Sequence, residues 1–244
     1  MLGNNMIRFF SQMTGRLGSN IYAGVPVSAN PQQLSFLRQL QKEMKNKDVL
    51  DCPLDKLQVT VFDLETTGFY PEKGDAIISI GAVKVTGSLI KENEVFYSLV
   101  NPHRTIPEEV SLLTKINDGM LQTAPDEAEV LLKFLDFIGS NVLVAHHAKH
   151  EEAFMKKAYR SLLPFKFDRR IIDTSFLRRI HHPFAPSKPL EKICEEYGFE
   201  TNNRHHALAD AKMAARLWSH DLRMAEEKGY KNLREVYEYL SRLR

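Results

Sequence analysis

An α/β architecture is what this sequence predicts, a mixed β-sheet covered by helices on both faces, with a helical N-terminal extension ahead of it. Two observations carry that reading. Three apolar, β-branched runs follow one another closely between Leu57 and Val100, separated only by turn residues. After them, short apolar runs alternate with segments of helical periodicity. Strands first in hairpins and then alternating with helices imply a sheet with both antiparallel and parallel neighbours.

The 244 residues, 43% of them hydrophobic, suffice for one good core. Residues 1–56 read as a basic extension, 57–222 as the main domain, and 223–244 as a C-terminal helix packed on it. From Met1 to Lys42 there is no acidic residue, and Arg8, Arg16, Ser11 and Ser19 lie among apolar ones. That composition loosely matches an organelle transit peptide; the plainer reading is a basic extension broken by Gly18, Gly24, Pro26 and Pro31. Ser35 to Asn46 reads as a short amphipathic helix, with Phe36, Leu37, Leu40 and Met44 at helical spacing.

Strands are expected over Leu57–Leu64, Ala76–Val85 and Glu94–Val100, with "KGDA" as the first turn and "TGSLIKE" as the second. A helix follows from about Pro107, a residue suited to a first turn. A second helix spans Asp126–Ile138 and leads into the buried strand Val142–Ala145. The next helix begins with the histidine-rich segment at His146. After the strand-like "RIIDT", helices start at Pro189, near Ala207 and at Leu233. A net charge of +2 decides nothing about nucleic acid. Cys52 and Cys194, far apart, make no disulfide framework, so a reducing, cytoplasmic setting is expected. No apolar run approaches a membrane span.

The chemistry starts at the end of the first strand. Asp63 and Glu65 lie two apart, so the period of two points both carboxylates to one face. Side by side they repel, and burial disfavours their charged forms. A hard divalent cation between them makes the arrangement favourable. Asp210 lies on a later helix with Leu208, Ala211, Ala215 and Trp218 as its apolar stripe, and His205 sits five residues earlier. The strand Val142–Ala145 runs into a group containing His146, His147, His150, Glu151 and Glu152.

Those segments, "FDLETTG", "AHHAKHEEAFM" and "RHHALADA", resemble the three motifs of the DEDDh 3′→5′ exonuclease family, of which the DnaQ-like, epsilon-type proofreading exonuclease is a branch. "IISIGAVKV", "LVNPHRTIPEEVSLLTKINDGM" and "IIDTSFLRR" are similar to intervening family segments, in the same order. The resemblance implies an RNase H-like fold, two Mg²⁺ or Mn²⁺ ions, and hydrolysis of a terminal phosphodiester of DNA at single-stranded or mismatched 3′ ends. It implies that Asp63, Glu65, Glu151 and Asp210 hold metal and that His205 is the general base, with His206 an accessory. Leu64, Thr66, Thr67, Phe69, His146, His147 and Phe154 are the implied substrate contacts. Glu151 stands where the family has aspartate; it either does the same work with one more methylene of reach or leaves the site weakened. Glu152 and Asp173 are alternative substitutes, though the family's aspartate at the Asp173 position is more often structural. Lys115 replaces the glycine of the family's TGI segment.

Other readings stay open on the sequence. The same fold can trim RNA ends, since only sugar contacts separate RNA from DNA. A non-catalytic nucleic-acid-binding module is the reading in which Glu151 fails. His146 and His150, four apart, have a spacing that suits zinc, although no third ligand has a motif-like position. No polymerase-like segment is read in the chain, so proofreading requires a polymerase or sliding clamp in trans. "QLSFL", Gln33 to Leu37, resembles a clamp-binding peptide; otherwise its leucines pack that helix on the main domain.

Overall fold

A computed structural model describes residues 49–162, 167 and 169–243. The expected helix over Ser35–Asn46, the clamp-like segment and the transit-like composition lie outside the described residues. Five strands form one sheet in the order β3-β2-β1-β4-β5. They are β1 (Gln58–Thr66), β2 (Ile77–Thr86), β3 (Leu89–Leu99), β4 (Val142–Ala145) and β5 (Ile171–Asp173). β1 pairs antiparallel with β2, and β2 with β3, while β1–β4 and β4–β5 are parallel. The C-terminal ends of β1, β4 and β5 therefore open at one edge, where such sheets gather ligands.

Alternation along β1 decides what each face meets. Val59 and Val61 join Val83, Val85, Val144, Leu217 and fully buried Trp218 in one core cluster. Phe62 and Leu64 point the other way, to Phe134, Leu143 and Phe154. Burying one such aromatic contributes about 3 kcal/mol at most. Asp63 and Glu65 share the parity of Val59 and Val61, so they project toward the helix that carries Trp218.

The helices are α1 (Glu108–Thr114), α2 (Asp118–Gln122), α3 (Glu127–Ile138), α4 (Lys149–Leu162), α5 (Ser175–Arg178), α6 (Leu190–Glu196), α7 (Ala207–Glu227) and α8 (Leu233–Arg242). Pro107, Asp126 and Pro189 precede α1, α3 and α6 directly, as prolines and short acidic residues do at helix starts. Helix α7 runs past Leu222, so the boundary expected there falls inside a helix. Leu233, Val236 and Leu240 of α8 join the same core as β1. No helix among the described residues is long and apolar enough to cross a membrane.

Three local expectations are corrected. β3 begins at Leu89, because Gly87 at φ 55° closes a tight turn and Leu89–Lys91 pair with Lys84–Thr86. "KGDA" ends a longer β1–β2 connection that includes a 3₁₀ turn over Pro71–Lys73, closed by Gly74 at φ 103°. His146 and His147 precede α4, which starts at Lys149; His147 at φ 59° makes the turn between strand and helix.

Candidate active site

Four carboxylates converge at the open edge of the sheet. Asp63 and Glu65 come from the end of β1, where a register shift follows Glu65. Asp210 comes from the first turns of α7. Gly81 pairs with Asp63 across β1–β2, and a Cβ on it would coincide with the backbone of Ala207 and Leu208. Only glycine lets α7 lie so close, and that approach brings Asp210 toward β1. Glu151, in the first turn of α4, is buried.

The electrostatics report the crowding. Burial raises Asp63 well above the usual carboxylate range, and Glu151, Glu65 and Asp210 add to it. Glu65 is pushed up to about 7 by burial and then by Asp210. Burial pushes Glu151 up to about 8, with Asp173 and Glu65 contributing. Asp210 is also raised by burial, although Arg204 and the His205 amide oppose this. Asp210 Oδ1 and Glu151 Oε2 are buried without any hydrogen-bond partner. Orphaned oxygens inside a cluster of acidic groups fit a hard, oxygen-seeking divalent cation.

His205 completes the arrangement. A nitrogen of its ring and carboxylate oxygens of Glu65 and Asp210 all lie within 4.8 Å of one another. Its backbone is left-handed at φ 62°, and its N–H donates to Asp210 Oδ2 at 3.1 Å. Backbone held in that region by a non-glycine residue costs roughly 1–3 kcal/mol and is common at functional sites. His206 instead stacks on Tyr97, with ring centroids 4.5 Å apart.

Among the implied substrate contacts, Phe69 is 79% exposed and His147 is exposed with Nε2 2.8 Å from Ser187 Oγ. Thr66 Oγ1 donates to the Gly68 carbonyl at 2.7 Å, and Thr67 Oγ1 to Asp75 Oδ1 at 3.2 Å, which holds the loop after β1. Three expectations need correction. Leu64 and Phe154 are core residues, with Phe154 only 1% exposed beneath the His150 ring. His146 is buried, with Nδ1 2.8 Å from Thr174 Oγ1 and Nε2 3.0 Å from the Lys188 carbonyl. The carbonyl requires Nε2 to carry the proton, and burial pushes the ring's pKa down to about 4. A neutral His146 with both nitrogens engaged is a structural post, so the His146–His150 zinc pair does not form.

The alternatives to Glu151 are occupied. Glu152 pairs with Lys156 at 2.6 Å on a half-exposed flank. Asp173 accepts from the Ala148 and Ser175 amides, both at 2.8 Å, and so ties β5 to the turn before α4.

Sequence reasoning missed Arg204 and Tyr97. Arg204 is ion-paired to Asp210 and, at 3.1 Å, to Glu191. Tyr97 lies opposite Gly81 on β3, in line with Asp63, which a register drawn through both hairpins would have indicated. Beside the carboxylates is a cavity of about 380 Å³ lined by Tyr97, Lys115, Ile116, Met120, His205 and His206. Lys115 lines it with φ 60°, a backbone conformation that the glycine of the resembled TGI segment would adopt without strain.

A family model described as Exonuclease matches residues 60–218, which hold Asp63, Glu65, Glu151, His205 and Asp210. This chain belongs to the exonuclease family. The DNA polymerase III subunit epsilon of Aquifex aeolicus is 36% identical over 195 residues, which cover 80% of this chain and 92% of that protein. A PolC-type DNA polymerase III of Bacillus subtilis is 37% identical over 177 residues, 72% of this chain but only 12% of the polymerase. The nuclease domain of 3'hExo, described as a DEDDh family member bound to rAMP, superposes with a TM-score of 0.60 at 20% identity. That match covers 72% of this chain and 96% of that domain, and it shows the shared RNase H-like fold. The exonuclease domain is thus related to DNA polymerase III epsilon subunits, and it shares its fold with the DEDDh nuclease domain.

Proposed function

We propose that this exonuclease removes nucleotides from 3′ ends of DNA, single-stranded or frayed by a mismatch, using two Mg²⁺ or Mn²⁺ ions. The observation that carries the reading is the set of four converging carboxylates with two buried, unpartnered oxygens. Asp63, Glu65 and Asp210 would hold the metal, with Glu151 completing the set where the family has aspartate. When bound, the ions would supply charge neutralisation, acidify an attacking water and stabilise the departing oxygen. His205 takes the proton from that water on a ring nitrogen, since an imidazole suits proton transfer near neutrality. Its left-handed backbone and the hydrogen bond from its N–H to Asp210 Oδ2 keep the ring beside Glu65 and Asp210. Exposed Phe69 and His147 contact the terminal nucleotides, and aromatic faces accept any base. Likeness to an epsilon subunit over most of its length supports proofreading for a polymerase supplied in trans. Buried Cys194 suits a reducing compartment such as the cytoplasm.

One gel tests this. End-labelled single-stranded DNA, duplex with a mismatched 3′ end, and RNA are incubated with and without Mg²⁺ or Mn²⁺. Metal-dependent shortening from the 3′ end, faster on DNA than on RNA, is expected. Preference for RNA would move the substrate assignment, and no shortening with either metal would leave a binding module.

A further inference from the structure

The group most in need of explanation is Arg204, a cation already paired with one of the carboxylates that would hold a divalent ion. Its Nη1 pairs with Asp210 Oδ2, and its Nη2 reaches Glu191 Oε2 at 3.1 Å. The second contact is an ion pair out of hydrogen-bond alignment, because Glu191 Oε2 is buried and still lacks a donor. Arg204 Nε is buried and lacks an acceptor, and Asp210 Oδ1 is unpartnered as well. Three orphaned atoms thus belong to one short chain of charges, Asp210–Arg204–Glu191. Native structures leave few such atoms.

We infer that Arg204 is a displaceable internal counter-ion, which neutralises Asp210 until a divalent ion binds and then transfers to Glu191. One exchange would cure all three defects. The ion would take Asp210, and the guanidinium would turn its adjacent Nε and Nη2 onto Glu191 as a two-pronged fork. The chain already builds that fork elsewhere: Arg234 Nε and Nη2 hold Asp51 at 2.6 and 2.8 Å. Arg204 cannot leave by losing its proton, so exchange between partners is its only route off Asp210. Asn203 at φ 58° and His205 at φ 62° bracket it, so the backbone that presents the side chain is itself held in a specified turn. In this role Arg204 positions Asp210 and sets the threshold for metal, without touching the reacting atoms.

The inference rests on the metal-site reading, and the experiment separates the two. Mn²⁺ binding to the full chain is measured by calorimetry, without substrate, for wild type, Arg204→Gln, Glu191→Gln and the double variant. Arg204→Gln should bind Mn²⁺ about tenfold more tightly, the equivalent of one charge-assisted hydrogen bond released. Glu191→Gln should bind several-fold more weakly, on the order of the same interaction, because Arg204 loses its destination. The double variant should match Arg204→Gln alone, since Glu191 acts only through Arg204. Independent, additive effects would mean simple long-range electrostatics and would overturn the exchange. So would unchanged or weaker binding in Arg204→Gln, which would make the ion pair permanent. Wild-type protein that binds no Mn²⁺ would sink the metal-site reading itself, and the exchange with it.

Discussion

Asp210 and Asp221 lie on the same helix, α7, and both are nearly inaccessible to solvent, at 3% and 1% exposure. Burial raises the pKa of each. Their surroundings differ. Asp221 Oδ1 is held by the Tyr197 hydroxyl at 3.2 Å and His220 Nδ1 at 3.1 Å, a set of neutral or singly charged partners. Asp210 shares its space with Asp63 and Glu65, keeps one oxygen unpartnered, and borrows an arginine for charge. A buried carboxylate is therefore no sign of chemistry by itself. Crowding by like charge together with an orphaned oxygen is the sign, because folding alone would select against both.

The largest test of that contrast is loss of one member of each group. Asp63→Ala should abolish nearly all turnover while the protein stays folded, since it relieves repulsion in the metal-free state. Asp221→Asn should leave turnover near the parent rate but lower stability by about 1–3 kcal/mol, as expected for a disturbed buried hydrogen-bonded group. Matched assays and melting curves check both. Parent-rate digestion by Asp63→Ala, purified free of host nucleases, would place the chemistry elsewhere.

The histidines sharpen the comparison at the next scale. His205→Ala should slow turnover about 10²–10⁴-fold, the range for a lost acid–base group. His206→Ala removes the stack on Tyr97 and part of the cavity wall and should be much milder. Equal losses in single-turnover rates would remove the distinction drawn from their positions.

How much of this was legible depends on which residues had to meet. Asp63 and Glu65 could be read together because a strand repeats every two residues, and Asp210 and His205 because five positions separate them in one segment. Strand β4 and the starts of α3, α6, α7 and α8 were legible for the same local reasons. The fate of His146 was not, since it is decided by Thr174 and the Lys188 carbonyl, far along the chain. Leu64 and Phe154 fell inside motif segments but on the core side of β1 and α4. The period of two already sets Leu64 opposite Asp63 and Glu65, while the side Phe154 takes is decided by packing. Arg204 was invisible as a partner of Asp210 because its other anchor, Glu191, lies on α6.

Glu151 tests whether membership in the crowded group, rather than proximity in sequence, decides function. Glu151→Ala should cost far more activity than Glu152→Ala, which loses only a half-exposed pair with Lys156. Glu151→Asp should stay active, as the shorter carboxylate is the family's own choice. Loss in Glu152→Ala with indifference at Glu151 would reverse the assignment of the two side chains.

The smallest expected effect is on stability, and it separates the two groups by metal rather than by mutation. Glu65 and Glu151 have folded pKa values of about 7 and about 8, well above the roughly 4.3 of an unfolded glutamate. Groups raised in this way contribute stability that is full below the unfolded pKa and lost as pH rises through the folded one. Metal-free protein should therefore melt at progressively lower temperature as pH climbs from about 6.5 to 8.5, a window set by those values. His146 works in the opposite sense, gaining stability as pH rises, but only between its folded value of about 4 and the usual imidazole range. Starting near pH 6.5, where an unfolded histidine is about half protonated, leaves only the small tail of that contribution. Asp221 shifts in the same direction as Glu65 and Glu151, so pH alone cannot tell the groups apart. Divalent ions should, because the proposed metal site takes the ionised forms of the crowded carboxylates, whereas Asp221 is already held by Tyr197 and His220. Mg²⁺ should restore most of the melting temperature lost at pH 8.5 in wild type and in Asp221→Asn, and none of it in Asp63→Ala. Metal-free melting that is flat or rises across this window would mean the carboxylates are stabilised by something other than a bound cation.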